Sequence, residues 1–152
     1  MKDRLLDALR AELRSRFDRL SRAARDTHAA ATDPGSKAES KYDTRSLEES
    51  YLAAGQAKQV EDLARDVAAF EVLEWPEFDA EDSIEAGALV EVDLDGESQW
   101  FLLAPAAGGL ALDWEGREIT LLTPASALYQ KLLGLRMGDS LDDPPLFISE
   151  VM

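Results

Sequence analysis

The chain has 152 residues, enough for one or two small domains around their own cores. Its net charge of −15, with 16 Lys/Arg against 31 Asp/Glu, argues against binding free DNA, which needs phosphate neutralisation. It contains no cysteine, so disulfides and thiolate metal sites are excluded, and a mean hydropathy of −0.26 is that of a soluble protein. No run approaches the roughly 18–20 apolar residues a membrane span needs. The charged first residues do not read as a secretory signal, so cytoplasm is the expected compartment.

The charge is unevenly spread. Residues 1–30 hold 8 Lys/Arg against 5 Asp/Glu, whereas residues 74–152 hold 3 against 17. Over residues 2 to about 31, Leu6, Leu9, Leu13, Phe17, Leu20, Ala24 and Ala31 recur at spacings near three and four, with arginines between them. That pattern predicts an amphipathic helix with a narrow apolar seam, a rod of roughly 45 Å. Residues 32–46 break it at Asp33-Pro34-Gly35. Ser36 with Glu39, and Ser46 with Glu49, each fit a capping box, so a second helix has two candidate starts. Leu47, Tyr51, Ala54, Ala57, Val60, Leu63, Val67 and Phe70 carry its seam to about Leu73. Two narrow seams joined by a short break predict an antiparallel coiled-coil hairpin over residues 1–74.

Trp75-Pro76 ends the second helix, and an acidic linker spans residues 75–83. From residue 84 the period becomes two. Ala88, Val90, Val92 and Leu94 alternate with Leu89, Glu91, Asp93 and Asp95, as in a strand. Asp95-Gly96 predicts a hairpin turn into a strand over Gln99–Ala104. Leu110–Trp114, Glu115-Gly116 and Ile119–Leu122 predict a second hairpin, and Phe147–Val151 a last strand. Thr123-Pro124 stops the strand before it, because Pro124 has no N–H to give. Ser126 is placed to cap a short helix with Ala127, Leu128, Leu132 and Leu133 on its apolar side and Gly134 at its end. Residues 84–152 thus read as a small antiparallel sheet domain with one helix, and the whole chain as α+β. Trp100, Phe101 and Trp114 read as core aromatics. The sole histidine, His28, lies near the seam and reads as packing or solvent-facing. Without cysteine, no nucleophile–base pair stands out. The glycines of 105–109 come with no phosphate-loop lysine.

Thr123-Pro124, Leu132-Leu133-Gly134 and Gly138-Asp139, in this order, resemble the C-terminal domain of the GreA/GreB transcript-cleavage factors. The stretch around Tyr51, Ala53 and Ala54 is similar to the residues that follow the tip of the coiled coil in that family. The resemblance implies a coiled coil followed by an FKBP-like β domain. It implies an accessory factor, not an enzyme, that binds bacterial RNA polymerase through the β′ subunit at the secondary channel. There the rod reaches down the channel towards the nascent RNA 3′ end and stimulates cleavage of backtracked RNA by the polymerase. Thr123, Pro124, Ala125 and Ser126 match the docking turn. Tip carboxylates are implied to help hold a Mg²⁺ shared with the polymerase, with no tightly bound cofactor. Aligned on Tyr51, the family's tip aspartate falls on Thr44 and its glutamate on Leu47, while Asp43 and Glu48 each lie one position away. Asp43, with Glu39 or Glu48 as partner, is the candidate set. Glu39 equally suits a cap for Ser36, Asp43 an exposed loop, and Glu48 a solvated helix face. Arg14, Arg22 and Arg25 would run beside RNA phosphates, or form a solvated face. A monomer is expected. The alternatives are a Gre-like regulator that occupies the channel without promoting cleavage, and an FKBP-like isomerase or scaffold that dimerises through its helices.

Overall fold

The computed structural model describes residues 2–32 and 45–152, with side chains over 2–29 and 53–152. Two long helices, α1 (Lys2–Thr32) and α2 (Arg45–Glu71), precede a mixed sheet of six strands with one short helix. The chain divides into two compact units. One comprises Arg10–Glu71, and the other joins Met1–Leu9 to Val72–Met152.

In the helical unit, Leu13 and Phe70 are buried, and Phe17, Leu20 and Ala24 on α1 are half-buried. On α2 the half-buried positions include Ala53, Gln56, Val60, Leu63 and Val67. Both sets step by three and four, the spacing that keeps one stripe of each helix out of water. Arg10 belongs to the same unit. It donates from Nε to the Phe70 carbonyl at 2.7 Å and from Nη2 to the Glu71 carbonyl at 3.3 Å. The last turn of α2 has no basic residue of its own. Arg10 therefore supplies the cation that the negative end of the helix favours. Arg14 pairs with Glu71 beside it.

The sheet unit contains β1 (Leu89–Leu94), β2 (Glu97–Leu103), β3 (Ala111–Trp114), β4 (Arg117–Leu122), α3 (Ala127–Leu132), β5 (Ser140–Asp142) and β6 (Pro145–Val151). The strand order is β3-β4-β2-β1-β6-β5. Asp95 (φ 53°) with Gly96 (φ 84°), and Glu115 (φ 51°) with Gly116 (φ 77°), make the two expected hairpin turns. Paired left-handed residues match the twist of the flanking strands. One pairing departs from the antiparallel expectation, since β2 lies parallel to β4, with Trp100 opposite Ile119 and Leu102 opposite Leu121. A two-residue turn dictates only that β3 pairs with β4. Which of the two lies beside β2 is decided by burial, and Ile119 and Leu121 are fully buried whereas β3 is half-exposed.

One sheet face carries Val90, Val92, Phe101, Leu103, Ile148 and Val151 against Tyr129 and Leu132 of α3. The alternation along β1 puts Leu89 on the opposite face, with Glu91 and Asp93, yet Leu89 is 1% exposed. Its cross-strand partner Leu102 is equally buried, as are Ile119 and Leu121 on that face. The first turns of α1, in the same unit, bring Leu5, Leu6 and Leu9, all buried. Around Leu89 both faces of the sheet are therefore covered, which a period-two reading of one strand does not disclose. A further strand, β5, pairs with β6 through Leu141 and Leu146.

Candidate docking surface

Ser126 adopts extended backbone (φ −79°, ψ 132°) just before α3, and its Oγ accepts the Tyr129 N–H at 3.4 Å. This is the N-cap geometry expected from the sequence, in which a hydroxyl satisfies a donor that the first turn leaves orphaned. The Ser126 N–H donates to the Thr123 carbonyl at 2.8 Å, which closes the turn. Gln130 reaches back with Nε2 to the Pro124 carbonyl at 3.0 Å. Pro124 and Ala125 are exposed at the crest, with Thr123 and Ser126 half-buried at its feet. The ring of Pro124 and these bonds leave the four residues little freedom, which lowers the entropic cost of binding through them.

Next to the turn is an apolar cleft of about 270 Å³, lined by Trp75, Pro76, Gly87, Leu103, Pro124 and Tyr129 among others. Its walls are held by close packing. Gly87 has φ +92°, and a Cβ there would sit 2.8 Å from Pro76 Cδ and 3.4 Å from Trp75 Cε3. Only glycine supplies both that backbone angle and that approach. Lys2 stands behind the same wall. Its Nζ donates to the Pro76 carbonyl at 2.7 Å and the Gly87 carbonyl at 2.9 Å, and lies 4.5 Å from the centre of the Phe78 ring. Burial pushes its pKa down from 10.5 to about 8, opposed by the neighbouring charge of Glu77.

Thr123, Pro124, Ala125 and Ser126, expected from the sequence as a docking turn, are contiguous and presented together. Arg14, Arg22 and Arg25 are exposed on α1. Arg14 and Arg25 are three turns apart and share a stripe, and Arg14 is engaged by Glu71. Glu39 and Asp43 lie outside the described residues, as does the side chain of Glu48, whose backbone belongs to α2. His28 is exposed. Among the described residues no group of three or more His, Asp or Glu side chains is placed to hold a metal ion. No helix among them is long and apolar enough to cross a membrane. Sequence reading missed the cleft and Lys2. Trp75-Pro76 stood out only as a helix stop, and nothing local indicates that Gly87, eleven residues on, packs against it.

No family model matches the sequence, and no curated protein matches it. Solved structures of Gfh1 are similar over nearly the full length. The GreA factor homolog 1 (Gfh1) of Thermus thermophilus is 21% identical, with 94% of each chain covered and a TM-score of 0.37. A second structure, of the transcription factor Gfh1, is 19% identical over 93% of this chain and 92% of that one, at 0.38. Thermus aquaticus Gfh1 is 17% identical over the same shares, at 0.36.

Proposed function

We infer that this chain is a Gre-type transcription elongation factor that binds RNA polymerase at its secondary channel and stimulates cleavage of backtracked RNA. One observation carries this reading. The Thr123-Pro124 turn, the Ser126-capped helix and Leu132-Leu133-Gly134 follow one another as in the Gre C-terminal domain, and the turn is locked with Pro124 and Ala125 exposed. A separate helical unit accompanies the sheet unit, as a factor with a reaching arm requires.

In this reading Thr123, Pro124, Ala125 and Ser126 seat the sheet unit on the β′ subunit. Arg14, Arg22 and Arg25 lie along the arm, where their charges favour RNA phosphate. Glu39, Asp43 and Glu48 are the acids assigned to the end of the arm. A Mg²⁺ brought by the polymerase would supply Lewis acidity and an activated water. Hydrolysis belongs to the polymerase, and this chain contributes position and hard oxygen ligands.

The test is RNA release from stalled, backtracked polymerase with the wild type and with Asp43→Ala, Glu39→Ala and Glu48→Ala. Release above the polymerase's own rate, lost in Asp43→Ala, is expected. A second reading is favoured by Thr44 and Leu47, which stand where the family carries its tip carboxylates. It makes the chain a channel-binding regulator without cleavage stimulation. Polymerase binding without faster release would select it, and no binding at all would remove both readings.

A further inference from the structure

We propose that the outer edge of β3 takes up an extended segment of another protein as a further antiparallel strand, and that this edge selects a segment reading apolar–basic–apolar. The inference stands on the sheet alone and needs no polymerase.

β3 lies at one end of the strand order, with β4 on its inner side and no strand beyond it. Glu115 and Gly116 close the β3–β4 turn, both in the left-handed region, so the flanking Trp114–Arg117 pair is of the hydrogen-bonded kind. Such pairs alternate along an antiparallel ladder. Leu112 therefore bonds inward too, in step with Leu110, whose carbonyl accepts the Leu121 N–H at 2.8 Å. That leaves the N–H and C=O of Ala111 and Asp113 pointing outward, and among the described residues no hydrogen bond reaches them. The opposite edge is less open. β5 has three residues, and the Asp143 carbonyl just beyond it is taken by Lys131 Nζ at 2.7 Å. Side chains set what the β3 edge will accept. Leu112 and Trp114 are half-buried on one face of the strand, and Asp113 is exposed on the other. Asp113 stands directly opposite Glu118, a like-charged pair at the closer, non-hydrogen-bonded kind of position. A lysine or arginine opposite Asp113 on an added strand would neutralise that pair, while its two neighbours extend the apolar cover of Leu112 and Trp114. A second copy of this chain is the wrong occupant, because it brings its own Asp113 and Glu118 against the first pair. The 17 Asp/Glu against 3 Lys/Arg of residues 74–152 steer a basic segment towards the same edge. Main-chain bonds then supply affinity and alternate side chains supply selectivity.

The test uses the full ¹⁵N-labelled chain and an end-blocked synthetic peptide, Thr-Val-Lys-Val-Thr. Saturable shifts and slowed exchange are expected at the Ala111 and Asp113 amides, with the inward amides of Leu112 and Trp114 changed less. N-methylation of the peptide's lysine amide removes a ladder donor and should weaken binding roughly tenfold. Replacing that lysine by glutamate should weaken binding roughly fivefold or more, and added salt should narrow the gap between the two peptides. Asp113→Lys should reverse the preference, so that the glutamate peptide binds the tighter. Asp113 is exposed, so this variant keeps the wild-type spectrum elsewhere. Absence of a saturable shift at millimolar peptide, equal binding of the N-methylated peptide, or an unchanged preference in Asp113→Lys would overturn the proposal. Concentration-dependent shifts at Ala111 and Asp113 in the chain alone would hand the edge to a second copy and overturn it too. None of these results bears on RNA release from backtracked polymerase, so the polymerase reading stands or falls separately.

Discussion

Lys2 has given up most of its water for two carbonyls and an aromatic face, and its lowered pKa records the cost. Between pH 8 and 10.5 the folded chain has shed this proton while the unfolded chain still holds it. The unfolded state then binds more protons, so this group makes stability rise with pH across that window and adds no slope below it. Urea midpoints measured from pH 7.5 to 10.5 should climb more steeply in the wild type than in Lys2→Met. Equal slopes would show that Lys2 keeps an ordinary pKa. Gly87 makes the complementary case for a residue that cannot be enlarged. Gly87→Ala combines a left-handed angle with a contact too close to Pro76, and should cost roughly 2–4 kcal/mol in chemical unfolding. A loss within a few tenths of wild type would mean that the Trp75–Pro76 segment moves freely.

At the scale of elements, α3 is short enough to depend on its ends. It has six residues, with Ser126 as its cap and Tyr129 and Leu132 as its buried side. Ser126→Ala should cost about 1 kcal/mol and loosen the Thr123–Ser126 turn, visible as faster amide exchange at Tyr129. Leu132→Ala opens a cavity under the same helix and should cost roughly 2–5 kcal/mol. If Ser126→Ala reduces polymerase binding more than Leu132→Ala at a temperature where both are folded, the turn contributes through its shape rather than through global stability. The hairpins β1–β2 and β3–β4 needed only their turn dipeptides and were legible at once. The insertion of β4 between β2 and β3 was not. Local turn chemistry has no bearing on a partner nineteen residues away, as Trp100 and Ile119 are.

Across the molecule, the first nine residues belong with the sheet unit although they begin a helix that continues into the other unit. Leu9→Ala should therefore lower the stability of the sheet unit by roughly 2–5 kcal/mol, read from unfolding followed at its buried Trp100. A change confined to helical signal, with the tryptophan transition unmoved, would contradict this.

Periodicity, turn dipeptides and capping residues act within a few positions of one another. The sequence alone therefore determined two long helices, the two hairpins, the Ser126-capped turn and the acidic segment after α2. The parallel β2–β4 pair, the burial of Leu89 under a second layer and the cleft closed by Gly87 against Pro76 were decided only by tertiary structure. Each joins residues distant in the chain, and which partners meet depends on how apolar area is shared over the whole sheet unit rather than on any local preference.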